Sequence, residues 1–162
     1  CEGQVAVRCV AGQRVTEPCS TGCEVLSTGV RCLPSLESNP LEDTQFQLTN
    51  QRRLAAGRAP VTWDARLARA ARLHSEDMCQ RQLLIHGSVA EVAARAAAQG
   101  TTISAENIGF GTSSPSQITE QWVRSSSHYR HMINTENTRI GVGYAACPGQ
   151  PAQHFWTQAY GS

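Results

Sequence analysis

Lysine is missing from this 162-residue sequence, and all 14 basic residues are arginine. With the alanine-rich stretch between Ala90 and Ala98, this points to a GC-rich bacterial coding sequence. An excess of either charge is missing too. Basic residues outnumber the 13 acidic ones by a single charge, so there is no basic footprint for nucleic acid and no acidic tail. No apolar run reaches the roughly 18 residues of a membrane-spanning helix. No signal peptide precedes Cys1, as expected of a mature or trimmed chain. Gly-x-Ser-x-Gly, His-Glu-x-x-His and a glycine-rich phosphate loop are all absent, which removes the familiar signatures of serine hydrolases, zinc proteases and nucleotide-binding folds.

Cysteine, by contrast, is abundant. Of seven cysteines, Cys1, Cys9, Cys19, Cys23 and Cys32 crowd the start, while Cys79 and Cys147 stand far apart in the remainder. Residues 1–35 read as three or four short strands joined by glycine turns, too small to hold a core unaided. Disulfides among Cys9, Cys19, Cys23 and Cys32 would supply the missing stability, about 2–4 kcal/mol each. A zinc site using the same four is the rival reading, but structural zinc prefers two tight pairs and only Cys19 and Cys23 are that close. The odd total leaves one thiol over. Cys1 could carry a lipid anchor, lack a partner lost by truncation, or form an intermolecular bond.

Residues 36–40 form a turn-rich linker, and residues 41–162 read as one further domain. Pro40 suits the first turn of a helix capped by Ser38 or Asn39, with Leu41, Phe46, Leu48, Leu54 and Ala55 as its apolar positions. A second helix from about Asp64 places Leu67, Ala70, Ala71, His74 and Met78 on one buried stripe. Ser88 and Glu91 make a capping box for a third, alanine-rich helix ending at Gly100. Thr101–Ser104 and Ile108–Phe110 alternate as strand. Ser114 and Pro115 open a fourth helix, and a helical turn is expected around His128–Ile133. Two β-rich runs, 139–147 and 154–160, are joined by a turn at Pro148–Pro151. Helices first and strands last argue for α+β. Cys79 and Cys147 would pin the second helix to the sheet; the loop-closure gain for such a span is about 4 kcal/mol.

Five histidines are candidates for chemistry: His74, His86, His128, His131 and His154. His74 sits on the apolar stripe and reads first as a packed residue. His154 lies in a strand. His128 and His131 form an i, i+3 pair that could face one ion, although real sites need three or four ligands. Ser125–Ser127 reads first as a helix cap.

Several segments stand in a telling order. They are Asn50-x-x-Arg53-x-x-x-Gly57, Leu67-x-x-x-Ala71-x-x-His74-x-x-x-Met78, Leu84-Ile-His86-Gly, Ala105-Glu106-Asn107-Ile108, Trp122-Val-Arg-Ser-Ser-Ser-His128, Thr138-Arg-Ile-Gly-Val-Gly-Tyr144 and His154-Phe-Trp-Thr-Gln. Over residues 41–161 this order resembles the CAP superfamily of cysteine-rich secretory, antigen 5 and pathogenesis-related proteins, in its bacterial branch. The resemblance implies a three-layer α-β-α sandwich and an extracellular or periplasmic setting. It also implies a cleft formed by His86, His128 and Glu106. The family's second acid falls at Ser125, which is a departure; Glu120 is the alternative accessory acid.

Two neutral imidazoles, His86 and His128, could hold zinc or another divalent cation weakly, with Glu106 orienting a bound water. With one carboxylate missing, no acid/base pair is evident and no cofactor is required. The leading expectation is a non-enzymatic extracellular module binding a lipid, glycan or protein. The alternatives are a metal-dependent hydrolase using His86, His128 and Glu106, and a structural component of an envelope assembly.

Overall fold

In the computed structural model, residues 39–162 are described throughout, together with the backbone of four earlier strands. The chain divides into two compact units, Cys1–Leu36 and Glu37–Ser162. In the first, β1 (Val5–Val10) pairs antiparallel with β2 (Gln13–Pro18), and β3 (Cys23–Leu26) with β4 (Gly29–Cys32). The bonding of Cys9, Cys19, Cys23 and Cys32, the state of Cys1 and most of the linker lie outside the described residues.

The second unit is α+β, with five helices and a mixed four-stranded sheet. The helices are α1 (Pro40–Ala55), α2 (Ala65–Arg81), α3 (Val89–Ala97), α4 (Pro115–Arg124) and α5 (Ser126–Ile133). The strands are β5 (Thr62–Trp63), β6 (Ala105–Phe110), β7 (Arg139–Ala146) and β8 (His154–Gly161), in the order β5-β7-β8-β6. β5 runs parallel to β7; the other pairs are antiparallel. β6 therefore forms one edge. The strand here is continuous from Ala105, and Thr101–Ser104, expected as strand, is a connection instead.

Alternation along the strands generates three layers. Gly141 and Gly143 of β7 face α2 so closely that a Cβ at Gly141 would lie 1.9 Å from the Ala68 nitrogen, and one at Gly143 would lie 2.2 Å from the Ala71 carbonyl carbon. The Ser75 hydroxyl donates to the Gly143 carbonyl at 3.0 Å across the same contact. On the opposite face Ile140, Val142, Trp156 and Tyr160 pack with Ile118 and Trp122 of α4 and Met132 of α5. The expected α2 stripe, Leu67, Ala70, Ala71, His74 and Met78, is buried in full. Cys79 and Cys147 are bonded with their Cα atoms 5.9 Å apart, joining the end of α2 to the chain just after β7.

Helix α1 departs from expectation. Asn39 is its cap, and the Asn39 side chain accepts from the Leu41 and Glu42 backbone amides at 3.0 Å each. Its buried stripe, however, is polar: Glu42, Gln45, Thr49 and Arg53, while Leu54 is 61% exposed. The difference has a clear cause, because Glu42, Thr49 and Arg53 find partners on other elements. The Gln45 amide nitrogen donates to Thr49 at 3.0 Å and reaches Thr119 at 3.5 Å, and its Oε1 is buried without a partner. Glu42 receives the Arg72 guanidinium at 2.6–2.9 Å and the Tyr144 amide at 3.1 Å. Thr49 receives the Gln158 amide at 2.8 Å. Arg53 donates to four backbone carbonyls, those of Ala59, Met132, Asn134 and Asn137. Satisfied polar groups of this kind carry little of the burial penalty that an unpaired one would.

Candidate functional site

Two consecutive residues of the edge strand β6 organise the site. Glu106 and Asn107 point to opposite faces of the sheet; Glu106 lines the opening beside this edge strand, and Asn107, fully buried, holds the His131 ring that also lines it. Glu106 collects groups from the α2 and α3 side. The His86 Nδ1–H donates to Glu106 Oε1 at 3.0 Å, a direction fixed because an ionised carboxylate can only accept. The Arg95 Nη2 donates to Glu106 Oε2 at 2.6 Å. His74 Nε2 lies 3.7 Å from Oε1, is buried, and has no hydrogen-bond partner. Glu106 itself is nearly sealed, its side chain 5% exposed against 48% for His86.

Asn107 collects α5. Its amide nitrogen donates to the His128 carbonyl at 3.1 Å and to Gln158 Oε1 at 3.0 Å, which turns Oδ1 toward His131 Nδ1 at 2.9 Å. Gln158 in turn accepts from the Tyr160 hydroxyl and donates to Thr49. A buried polar spine thus runs from α1 through the sheet to the histidines.

The electrostatics follow from this enclosure. Burial raises the Glu106 carboxyl, but the His86 hydrogen bond, the Arg95 charge and the His74 ring outweigh it, and the net position is below the ordinary carboxylate value. Burial pushes His74 down, and Arg95 adds to this, against the pull of Glu106. Burial also depresses His128, reinforced by His86 and His131. His131 is lowered by burial, with the Glu106 backbone opposing and Arg130 and His86 adding to the depression. At neutral pH these three rings are uncharged.

The opening is a cleft of about 430 Å³. One end is polar, with His86, Glu106, His131 and Ser104; Val89, Val92, Ala93, Ile103 and Ala105 make an apolar wall. Of the residues expected from sequence, His86 and Glu106 meet here. The His131 ring lines the cleft where His128 was expected; His128 lies alongside, its Nδ1 buried and unpartnered. Asn107 explains the exchange, since it grips the His131 ring but only the backbone of His128. Glu120 and Ser125 do not join Glu106. Glu120 is on the exposed face of α4 and pairs with Arg52, beside a separate surface hollow. The Ser125 hydroxyl bonds to that of Ser127 at 3.1 Å, and Ser125 gives α5 no side-chain cap.

Sequence reasoning overlooked Arg95, His74 and Asn107 as members of the cluster. One signal was available for Arg95, a lone long cation among alanines beside an expected cleft. The divalent ion expected at His86 and His128 does not fit these residues as arranged. Both Glu106 oxygens are committed, one of them to a guanidinium whose fixed charge repels a cation, and His86 turns Nδ1 with its proton toward the carboxylate. Among the described residues, no group of three or more His, Cys, Asp or Glu side chains is placed to hold a metal ion.

Comparison with known proteins agrees on one lineage. Residues 46–160 match the model of the cysteine-rich secretory protein (CAP) family. The uncharacterised protein YkwD of Bacillus subtilis is 30% identical over 123 residues, covering 74% of this chain and 46% of that protein. An extracellular SCP-domain protein from Bacillus anthracis superposes with a TM-score of 0.63 at 25% identity, over 74% of this chain and 39% of that one. An outer surface protein of Borrelia burgdorferi gives a TM-score of 0.65 at 16% identity, over 76% and 94% of the two chains, a likeness of fold alone. The chain spans less than half the length of the curated Bacillus relatives it matches.

Proposed function

This chain belongs to the cysteine-rich secretory protein (CAP) family, in its bacterial SCP form, and from that premise we propose that it acts outside the cytoplasm as a binding module rather than an enzyme. The observation that carries this reading is the two-sided cleft, with an apolar wall on α3 and a polar end in which Glu106 is already satisfied by His86 and Arg95. Such a cleft takes an amphipathic ligand, a lipid or an apolar segment of a glycoconjugate or protein. Exposed apolar residues Leu83, Leu84 and Ile85 directly precede the cleft residue His86 in the chain, and Val89 of the wall is itself 87% exposed. The Cys79–Cys147 bond supports an oxidising compartment, and the B. anthracis relative is described as extracellular.

The test is binding of a fluorescent acyl-chain probe to the intact protein and to Val92→Arg, which drives a charge into the apolar wall. The wild-type protein should bind saturably and the variant at least tenfold more weakly. Equal affinity in both, or no binding by either, removes the reading.

One observation favours a second reading, hydrolysis. The Glu106 carboxylate holds His86 by Nδ1, the orientation that frees Nε2 to act as a general base. The one hydroxyl in the cleft lining, Ser104, is engaged with Asn137 Oδ1 and the Tyr160 carbonyl, and no second acid stands in that lining. Ester turnover that vanishes in His86→Ala would favour this reading over simple binding. A structural role in an envelope assembly would act through the N-terminal unit; intact mass under non-reducing conditions tests whether Cys1 bridges chains or carries lipid.

A further inference from the structure

The misfit between the cleft and a metal ion has a specific author, Arg95. The carboxylate of Glu106 is buried, and two imidazole nitrogens flank one of its oxygens, His86 Nδ1 at 3.0 Å and His74 Nε2 at 3.7 Å. His74 Nε2 is buried and unpartnered although its side chain is only 4% exposed. Two imidazoles and one carboxylate are donor types that zinc takes, although as arranged here they form no metal-holding group. What opposes an ion is the fourth member, the Arg95 guanidinium, at 2.6 Å from the other oxygen and 14% exposed.

Arg95 also does mechanical work. Helix α3 is capped by its own Ser88–Glu91 box and buries only Ala96. It is bounded by two glycines in the left-handed region, Gly87 at φ 82° and Gly100 at φ 69°. Among the described residues, and beyond its own Ser88 cap, the Arg95–Glu106 pair is the one side-chain hydrogen bond or ion pair from α3 to the remainder of the unit.

We infer that Arg95 is a resident counter-cation: it occupies the charge position a divalent ion would take at Glu106, keeps metal out of the cleft, and holds α3 against the sheet in place of a metal bridge. This goes beyond the binding-module reading and holds whatever ligand the cleft accepts. Removing the guanidinium uncovers a buried carboxylate between two imidazoles. The neutral His86 ring then shifts its Nδ1 proton to Nε2, and both imidazoles present ring-nitrogen lone pairs to the ion, with the carboxylate supplying oxygen and no net proton released.

The experiment is a zinc titration of the full chain, followed by the imidazole resonances of His74 and His86, which report this site regardless of zinc held by cysteines elsewhere. Wild-type protein and Arg95→Lys should show no saturable shift at either ring. Arg95→Met, which keeps the apolar stem and removes the charge, should show saturable shifts at both, with at least tenfold tighter apparent binding. Saturable zinc shifts at both rings in the wild type overturn the proposal, as does a folded Arg95→Met protein that ignores zinc. Should Arg95→Met fail to fold alone, zinc must restore its folded circular dichroism signal. No rescue, or rescue that survives the additional change His86→Ala, overturns it equally.

Discussion

Arg53 offers a severe test of the structural reasoning, because it is a buried cation with no carboxylate partner in its hydrogen-bond set. Its side chain is 2% exposed and donates at 2.8–3.2 Å to the carbonyls of Ala59, Met132, Asn134 and Asn137. Three of those carbonyls belong to the C-terminal end of α5 and the turn after it, where backbone acceptors lack helical donors. Arg53 therefore acts as a side-chain cap supplied from α1 and fixes the helix that carries His128 and His131. Replacing it with methionine preserves the apolar stem but leaves the buried or half-buried carbonyls of Met132, Asn134 and Asn137 without this donor, while that of exposed Ala59 can turn to water. Hydrogen bonds to charged groups contribute about 1.5–3 kcal/mol each, and they are not additive within one cluster. A loss of about 4 kcal/mol is expected, a large share of a typical stability of about 5–15 kcal/mol. Arg53→Lys retains charge but not the planar fork, and should lose about 2–3 kcal/mol. All three tryptophans, Trp63, Trp122 and Trp156, lie in the second unit, so their fluorescence in urea reports its unfolding alone. Hydrogen exchange should accelerate first over residues 126–137. A cost below about 1 kcal/mol for Arg53→Met, in the range of an ordinary surface change, would refute the capping argument.

The remaining expectations concern packing, covalent linkage and pH. Gly143→Ala would set a Cβ 2.2 Å from the Ala71 backbone; α2 must lift, and the urea midpoint should fall by the equivalent of about 3 kcal/mol or more. Reducing Cys79–Cys147 releases a closure between residues 68 apart. The second unit should lose up to about 4 kcal/mol, read as a lower midpoint in reductant, and Cys79→Ala should show no further loss in reductant. His74, His128 and His131 all titrate below the ordinary imidazole value because burial disfavours their cations. The unfolded chain then binds protons first as pH falls, so stability is complete above about pH 6.5 and declines below it toward the depressed folded values. Glu106, also depressed, contributes until pH falls beneath the ordinary carboxylate range, so the histidine losses come first. Urea midpoints from pH 8 to 5 should bend downward near 6.5, with at most about 1.4 kcal/mol per pH unit from His74; a flat profile contradicts the burial argument.

Hydrophobic spacing reveals α2 and the β7–β8 hairpin in the sequence because both bury apolar residues at the period of their own geometry. Helix α1 is misread by the same method. Glu42, Gln45, Thr49 and Arg53 fall at helical spacing, but they are polar, and what makes their burial tolerable lies far along the chain at Arg72, Tyr144, Gln158 and Met132. A pattern of hydropathy carries no information about such partners. Glu106 and His86 can be named from the order of short motifs, and the structure sets them 3.0 Å apart. Arg95 and His74 escape because each sits in a segment whose composition, alanine-rich or apolar, reads as packing. Asn107 escapes although it adjoins Glu106, since only the strand's position at the sheet edge gives it a role.

That edge position ties stability and function together more closely than the separate residues suggest. In an interior strand, neighbours such as Glu106 and Asn107 would serve two faces with no common opening. At the edge, the carboxylate gathers His74, His86 and Arg95 from one layer while the amide gathers His128 and His131 from the other. The outward carbonyl of Ile108, which would otherwise invite another strand, accepts the Trp122 indole N–H at 2.9 Å. The edge is thereby closed to strand pairing a few residues from where it stays open to a ligand. The Asn107 amide is held by Gln158, and Gln158 by Thr49 and Tyr160. The orientation of the cleft histidine His131 is consequently set by the polar stripe of α1. The residues that the hydropathy pattern hides in the core are the ones that fix the geometry of the cleft.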